Sequence, residues 1–157
     1  MDTLNEQLFN GLTNGPHIVR VLVRLVVAVV MGGLIGYERE REHREAGLRT
    51  HMLVALGAAL FILIPIEAGT DLQGLGRVVQ GLTAGIGFLG AGTILQLPAE
   101  RRIKGLTTAG SIWVTAAVGV AVGFGWLWPA IAAVVLSWVV LYFVHLLEPR
   151  FKDQKEP

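Results

Sequence analysis

The sequence predicts an all-α integral membrane protein, a bundle of five transmembrane helices, on three observations. The 157-residue chain is 53% hydrophobic and only 16% charged, whereas soluble domains carry about 25% charged residues. Its apolar residues form five long runs, and a bilayer core about 30 Å thick needs about 20 helical residues. Period-2 alternation is absent, which argues against a β-barrel. The runs cover residues 18–37, 51–66, 78–97, 106–125 and 126–147.

The first run predicts a retained anchor rather than a cleaved signal peptide. Acidic Asp2 and Glu6 precede it, and it ends at Tyr37 rather than at a small-residue cleavage site. The second run is the weakest, because it is short and Pro65 interrupts it. We expect an extracytoplasmic segment at 1–17, a transmembrane domain at 18–147 and a cytoplasmic tail at 148–157.

The basic residues predict the orientation. The links after the first and third runs and the C-terminal tail carry ten of the 13 Lys and Arg residues, and the opposite side carries Arg77. Cytoplasmic loops of membrane proteins are rich in Lys and Arg. The N-terminus is therefore predicted outside and the C-terminus in the cytoplasm.

Composition also narrows the classes of function. The net charge of +1 gives no basic field for nucleic acid. There is no cysteine and no Ser/His/Asp or paired-carboxylate arrangement, so we expect neither an enzyme nor a cofactor. The four histidines have no metal-ligand spacing and are expected at the surface or the membrane interface; the sequence leaves any metal unknown. They are His17, His43, His51 and His145.

Two segments resemble each other at an offset of 58 residues. "GLRTHMLVALGAA" starts at Gly47 and "GLTTAGSIWVTAA" at Gly105, and at the same offset Gly32 falls on Gly90. Helices three and four are thus a possible parallel repeat of helices one and two, as in some transporters. The alternative is that Gly-Leu-x-Thr merely suits a helix start, with Thr near an N-cap position.

The stretch "GIGFLG" at residues 85–90 matches Gly-x-Gly-x-x-Gly but lies inside an apolar run without a preceding strand, so a phosphate site is not expected. Small residues instead let membrane helices approach closely, which predicts a central third helix matched by a strip on the fourth. The alternative is a broken third helix that binds an ion. The glycines are Gly81, Gly85, Gly87, Gly90 and Gly92 on the third helix and Gly119 and Gly123 on the fourth.

Polar residues at the cytoplasmic ends suggest a pocket. Glu38 lies where the first run ends, and Arg49 is its expected partner. Residues 39–45 are expected to extend the first helix into solvent with i,i+4 ion pairs, and this helix to stop at Gly47. A polar stripe enters the fourth helix; it either lines a pocket with Glu38 and Arg49 or bonds to its own helix carbonyls. The stripe is Lys104, Thr107, Thr108, Ser111 and Thr115.

The outer side carries a second polar set. Arg24 lies in the outer half of the first helix and either reaches the lipid headgroups or pairs with Glu67 or Asp71. Arg77 and Gln80 stand at the outer entry of the third helix.

Four ordered blocks resemble the membrane domain of the MgtC/SapB family: "VRLVVAVVMGGLIGYERE", "AGLRTHMLVALGAALF", "RVVQGLTAGIGFLGAGTIL" and "IKGLTTAGSIWVTAAVGVAVGFG". The family's recurrent polar positions then correspond to Arg24, Glu38, Arg49, Thr50, Arg77, Gln80, Lys104, Thr107 and Thr108, and its tryptophan to Trp113.

The resemblance implies a bacterial inner-membrane protein linked to growth in low magnesium and to virulence, and in some members to restraint of ATP synthase. Longer members add a soluble domain after the fifth helix, which we expect to be absent here because the sequence ends ten residues after Leu147. The first hypothesis is a non-enzymatic protein that acts through helix contacts, as a homo-oligomer, with a dimer favoured, or with another inner-membrane complex. The second is a small transporter of Mg²⁺, another cation or protons.

Overall fold

The computed structural model describes residues 15–97 and 102–152, with side chains at 15–94 and 103–142. Five helices and a two-stranded hairpin make up this part of the chain. Most of the expected extracytoplasmic segment 1–17, as well as Arg101 and residues 153–157 of the expected tail, lie outside the described residues. The helices are α1 (Gly15–Arg41), α2 (Leu48–Glu67), α3 (Leu72–Gly92), α4 (Leu106–Phe124) and α5 (Leu127–Lys152).

Three of the five helices, α1, α2 and α4, are long and apolar enough to cross a membrane. The part of α5 whose side chains are described, Leu127–Tyr142, is a shorter apolar helix. In α3, seven of the 21 residues are glycine, which adds helix length with little hydrophobic surface. The helical class predicted from the sequence is confirmed, and the number of membrane crossings stays a prediction.

The end of α1 differs from the expectation. The helix stops at Arg41, and the chain turns at His43, whose φ is 52°. The expected ion pairs across residues 39–45 are replaced by contacts to other elements. Glu40 Oε2 accepts a hydrogen bond from Leu48 N at 3.0 Å, so its carboxylate satisfies one of the free N–H groups at the start of α2.

A short antiparallel hairpin separates α3 from α4. Strand β1 (Leu95–Leu97) pairs with β2 (Arg102–Lys104), with Gln96 opposite Ile103. The sequence placed residues 93–97 in the third helix, which was wrong. The hairpin leads into Gly105, whose φ of 89° is in the left-handed region, and a Cβ there would overlap the carbonyl oxygen of Thr93.

The centre of the bundle is the contact between α2 and α4, and α1 packs against both. At Gly119, an added Cβ would lie 2.8 Å from the Cβ of Ala58, and at Gly123 it would lie 2.8 Å from the Cβ of Ile62. Gly32 of α1 is as close to α2, because a Cβ added there would lie 2.7 Å from the Cβ of Ala55. Glycines therefore set the helix separations at the core.

The expectation of a central α3 was wrong. This helix lies at the edge of the bundle against α4 and α2 and is continuous from Leu72 to Gly92. Gly90 faces Ala109 and Trp113 of α4. A Cβ on the other four glycines singled out in α3 would meet no atom within 4 Å; they are Gly81, Gly85, Gly87 and Gly92.

The α2–α4 contact predicts that replacing two glycines of α4 by alanine has different effects on stability. Gly119→Ala forces the two helices apart and is expected to destabilise the protein by about 1–3 kcal/mol. Gly110→Ala is the matched control, because a Cβ there meets nothing within 4 Å. Thermal unfolding in detergent should show a lower Tm for Gly119→Ala and an unchanged or higher Tm for Gly110→Ala. Equal Tm values for the two variants would contradict this packing.

Candidate functional site

Buried polar side chains gather where α1 ends and α2 and α4 begin, and they extend to Thr115 at the middle of α4. We call this set the inner cluster. Each member is no more than 6% exposed, and they come from three different helices. The inner cluster consists of Arg39, His51, Thr108, Ser111 and Thr115.

Glu38 binds its neighbour Arg39 rather than Arg49. Nη2 of Arg39 donates to Glu38 Oε1 at 2.7 Å, and Nε of Arg39 donates to the other carboxylate oxygen. Arg49 is exposed. Among the described residues, Nη1 of Arg39 is buried without a hydrogen-bond partner. Since such a group is costly to leave unpaired, it is available to a bound water or ligand.

His51 is fully buried, so its expected surface position was wrong. Its Nδ1 lies 2.9 Å from Gly47 O, which can only accept, so Nδ1 carries a hydrogen. Its Nε2 lies 3.0 Å from Ser111 Oγ, whose single hydrogen is also within reach of Thr108 O at 2.8 Å. When His51 is neutral, the Ser111 hydroxyl donates its hydrogen bond to Nε2. When His51 is protonated, Nε2–H donates to Ser111 Oγ, and the hydroxyl donates to Thr108 O instead. The arrangement therefore accommodates both protonation states.

Thr108 links the inner cluster to the loop between α1 and α2. Its hydroxyl donates to Glu45 Oε2 at 2.9 Å. The pKa of Glu45 is lowered from its ordinary value of 4.5, first by a hydrogen bond from its own backbone N–H and next by this hydroxyl. The positive charges of Arg44 and Lys104 act in the same direction, and burial opposes them.

The predicted polar residues divide into two groups. Glu38, Thr108 and Ser111 lie at the inner cluster. Ser111 and Thr115 bond carbonyls of their own helix, each at 2.8 Å, and Ser111 also contacts His51. A pocket that the stripe lines with Glu38 and Arg49 stays a prediction. The remaining predicted residues of this site are exposed around it; they are Arg49, Thr50, Lys104 and Thr107.

At the opposite end, Arg24 binds α4 instead of an acidic residue of the outer link. Its Nη1 donates to Gly123 O at 3.2 Å, where a cation is favourable at a helix C-terminus. Glu67 pairs with His17. Asp71 caps α3 by accepting from Gly74 N at 2.7 Å. The other two predicted residues of the outer side are exposed; they are Arg77 and Gln80.

Helical spacing could have identified two residues that the sequence analysis missed. Arg39 continues the buried stripe of Ala28, Gly32 and Ile35 on α1, and His51 begins the stripe that includes Ala55 and Ala58 on α2. The third missed residue is Glu45, whose loop position carries no periodic signal. Within the described part of the chain, no group of three or more His, Asp or Glu residues could hold a metal ion.

Comparison with known proteins identifies the family. The model of the MgtC family matches residues 25–150. The chain belongs to the MgtC family. The four sequence blocks therefore predicted the family correctly. No solved structure matches the chain significantly.

Relatives of this MgtC-family chain come from several bacteria. Protein SrpB of Synechococcus elongatus is 48% identical over 116 residues, 67% of this chain and 63% of the relative. YhiD of Escherichia coli K12 is 37% identical over 140 residues, 85% of this chain and 64% of the relative. Protein MgtC of Salmonella typhimurium is 42% identical over 115 residues, 73% of this chain and 48% of the relative. The matches thus span about half to two thirds of these relatives.

The Thr108–Glu45 contact predicts a pH-dependent loss of stability on Thr108→Val. The variant loses the hydroxyl, so we expect a cost of about 1 kcal/mol at pH 7 and a pKa of Glu45 closer to 4.5. Because the pKa of Glu45 is lower in the folded protein than in the unfolded chain, its ionised form stabilises the fold above pH 4.5. This stabilisation is lost as the pH falls through the pKa of Glu45 in the folded protein. The deficit should therefore shrink in acid, as measured by unfolding in detergent.

Thr107→Val is the matched control, because the neighbouring Thr107 is exposed. It should leave both the stability and the pKa of Glu45 unchanged. The same loss in both variants would rule out the Glu45 contact as the cause.

Proposed function

We propose that this is a bacterial inner-membrane protein that acts through helix contacts, as a homodimer, on a membrane process linked to magnesium limitation, membrane potential or ATP synthase activity. It catalyses no reaction. The uncovered glycine face of α3 carries this proposal, and the family membership and three long apolar helices support it.

The proposed topology has five crossings, with the N-terminus outside and the C-terminus in the cytoplasm. The described basic residues at the end where α1 stops support it, because cytoplasmic ends are rich in Lys and Arg. These residues are Arg39, Arg41, Arg44, Arg49 and Lys104.

The α3 face supports contact with a second copy. Gly81 and Gly85 are four residues apart, and both lie in an apolar groove of about 470 Å³ between α2 and α3, beside Phe61. Small residues at this spacing let a helix of another chain approach closely. The groove is therefore a suitable dimer contact.

The distribution of polarity favours this proposal over transport by one chain. The inner cluster and the Arg24 region lie at opposite ends of the bundle. The buried core between them is apolar in the described residues and includes Ala28, Ala59, Val118 and Val122. Between Thr115 at the middle of α4 and Arg24, an ion that crossed a single copy would meet only apolar residues of this core, at a high cost.

A small transporter remains the second candidate, because a specific observation favours an internal repeat. A Cβ on Gly32 would meet His51 and Ala55 across the α1–α2 contact. Shifted by 58 residues, the corresponding contact joins α3 to α4, where a Cβ on Gly90 would meet Ala109 and Trp113. Parallel repeats occur in transporters, and the name of the YhiD relative proposes magnesium transport.

Cysteine crosslinking tests the dimer, and the absence of native cysteine keeps the result simple. Gly85→Cys should form a disulfide-linked dimer on oxidation of native membranes. Val30→Cys is the control, because Val30 is exposed on α1, away from α3, and should stay monomeric. Gly81→Leu added to Gly85→Cys should abolish the crosslink without disturbing the chain's own fold. Dimers from both single-cysteine variants, or from neither, would contradict the α3 contact.

Flux measurements separate the two candidates. Purified protein in liposomes is expected to give no Mg²⁺ or proton flux above protein-free liposomes under either gradient. Flux that Glu38→Gln or Arg49→Ala abolishes would overturn the proposal and establish transport.

A further inference from the structure

A small pocket lies between α1 and α5, beside the end of α1. Its volume is about 170 Å³, below the roughly 300–1,000 Å³ of sites for drug-sized ligands. Six of its lining residues are aromatic or charged: Tyr37, Glu38, Arg41, Glu42, Trp138 and Tyr142. We call it the α1–α5 pocket.

Helical spacing assembles one wall of the pocket. Glu38 and Glu42 are four residues apart, and a hydrogen bond of 3.1 Å from Glu42 N to Glu38 O continues the turn just past α1. Tyr37 and Arg41 repeat this spacing one residue earlier. The other wall is α5, which Trp138 ties to α1 through a bond of 2.9 Å from Nε1 to Leu34 O. The pocket is thus a product of the α1–α5 contact.

Its lining suits two charges of opposite sign. Aromatic rings and carboxylates attract an ammonium group, through cation–π contact and charge-assisted hydrogen bonds respectively. Both Glu38 oxygens already accept from Arg39, but an ionised carboxylate has about four lone-pair sites, so further bonds remain possible. The guanidinium of Arg41 matches the geometry of a phosphate. A small zwitterion with both groups meets these requirements together.

We propose that the α1–α5 pocket binds the phosphoethanolamine headgroup of phosphatidylethanolamine. The carboxylates and aromatic rings hold the ammonium, and Arg41 holds the phosphate. The lipid is favoured over a soluble molecule because the pocket lies between two helices whose exposed apolar residues face lipid in the proposed membrane placement: Val30 and Leu34 of α1 and Val135 and Val139 of α5. The inference uses the membrane placement of the proposed function but not its dimer or its partner.

Native mass spectrometry of the delipidated full chain in detergent tests this assignment. Phosphatidylethanolamine should bind at least about fivefold more tightly than phosphatidylcholine or phosphatidylglycerol with the same acyl chains. Phosphatidylcholine lacks the N–H donors, and phosphatidylglycerol lacks the cation. Glu42→Gln should reduce the preference for phosphatidylethanolamine, and Arg41→Gln should weaken the binding of all three lipids. Both residues are exposed, so folding is not at risk. Glu67→Gln, at the opposite end, is the control and should change nothing.

Each alternative outcome overturns the proposal. Equal binding of the three lipids means that the pocket does not recognise the headgroup. A preference that survives Glu42→Gln places recognition elsewhere. Displacement of the lipid by an equal concentration of water-soluble glycerophosphoethanolamine would assign the pocket to a free molecule. None of these results depends on dimerisation or flux, so the lipid experiment can contradict this proposal without contradicting the proposed function.

Discussion

The close approach of α2 and α4 is the contact on which the rest of the structure depends. Lipid provides no hydrophobic drive between helices, so their association relies on packing, and Gly119 and Gly123 let α4 lie directly against α2. The two helices run parallel, because contacts progress together from His51 with Ser111 to Ile62 with Gly123. Their N-terminal ends therefore meet at one end of the bundle, and this places the inner cluster there.

The same contact explains how buried polar residues of α2 and α4 find partners. A polar group buried away from water is costly unless it is hydrogen-bonded, and the short α2–α4 separation brings partners within reach. His51 reaches Ser111, and Thr108 reaches Glu45 of the preceding loop. The inner cluster thus joins His51 through Ser111 and Thr108 to the loop between α1 and α2 by hydrogen bonds.

Periodicity and family blocks predicted the helices and the family, because both are encoded in local residue order. Thr108 and Ser111 were also predicted, since a polar stripe on an apolar helix is visible in the sequence. Arg39 was assigned to solvent because its neighbours are charged, yet the packing of α1 in the bundle buries its side chain. The edge position of α3 was missed because glycine spacing shows that a helix can pack closely, but not against which helix. The hairpin of β1 and β2 was missed because the residues of β1 continue the apolar run of the third helix.

The glycines of α3 argue for a contact beyond a single chain. Glycine is about 1 kcal/mol less favourable than alanine in a helix interior, and at the core this cost is offset by close packing. Gly81 and Gly85 obtain no such compensation within one chain, because alanine would fit at both positions. A second copy that packs closely against this face would compensate for the cost of the two glycines. The argument is independent of the inner cluster and supports the proposed contact of α3 with a second copy.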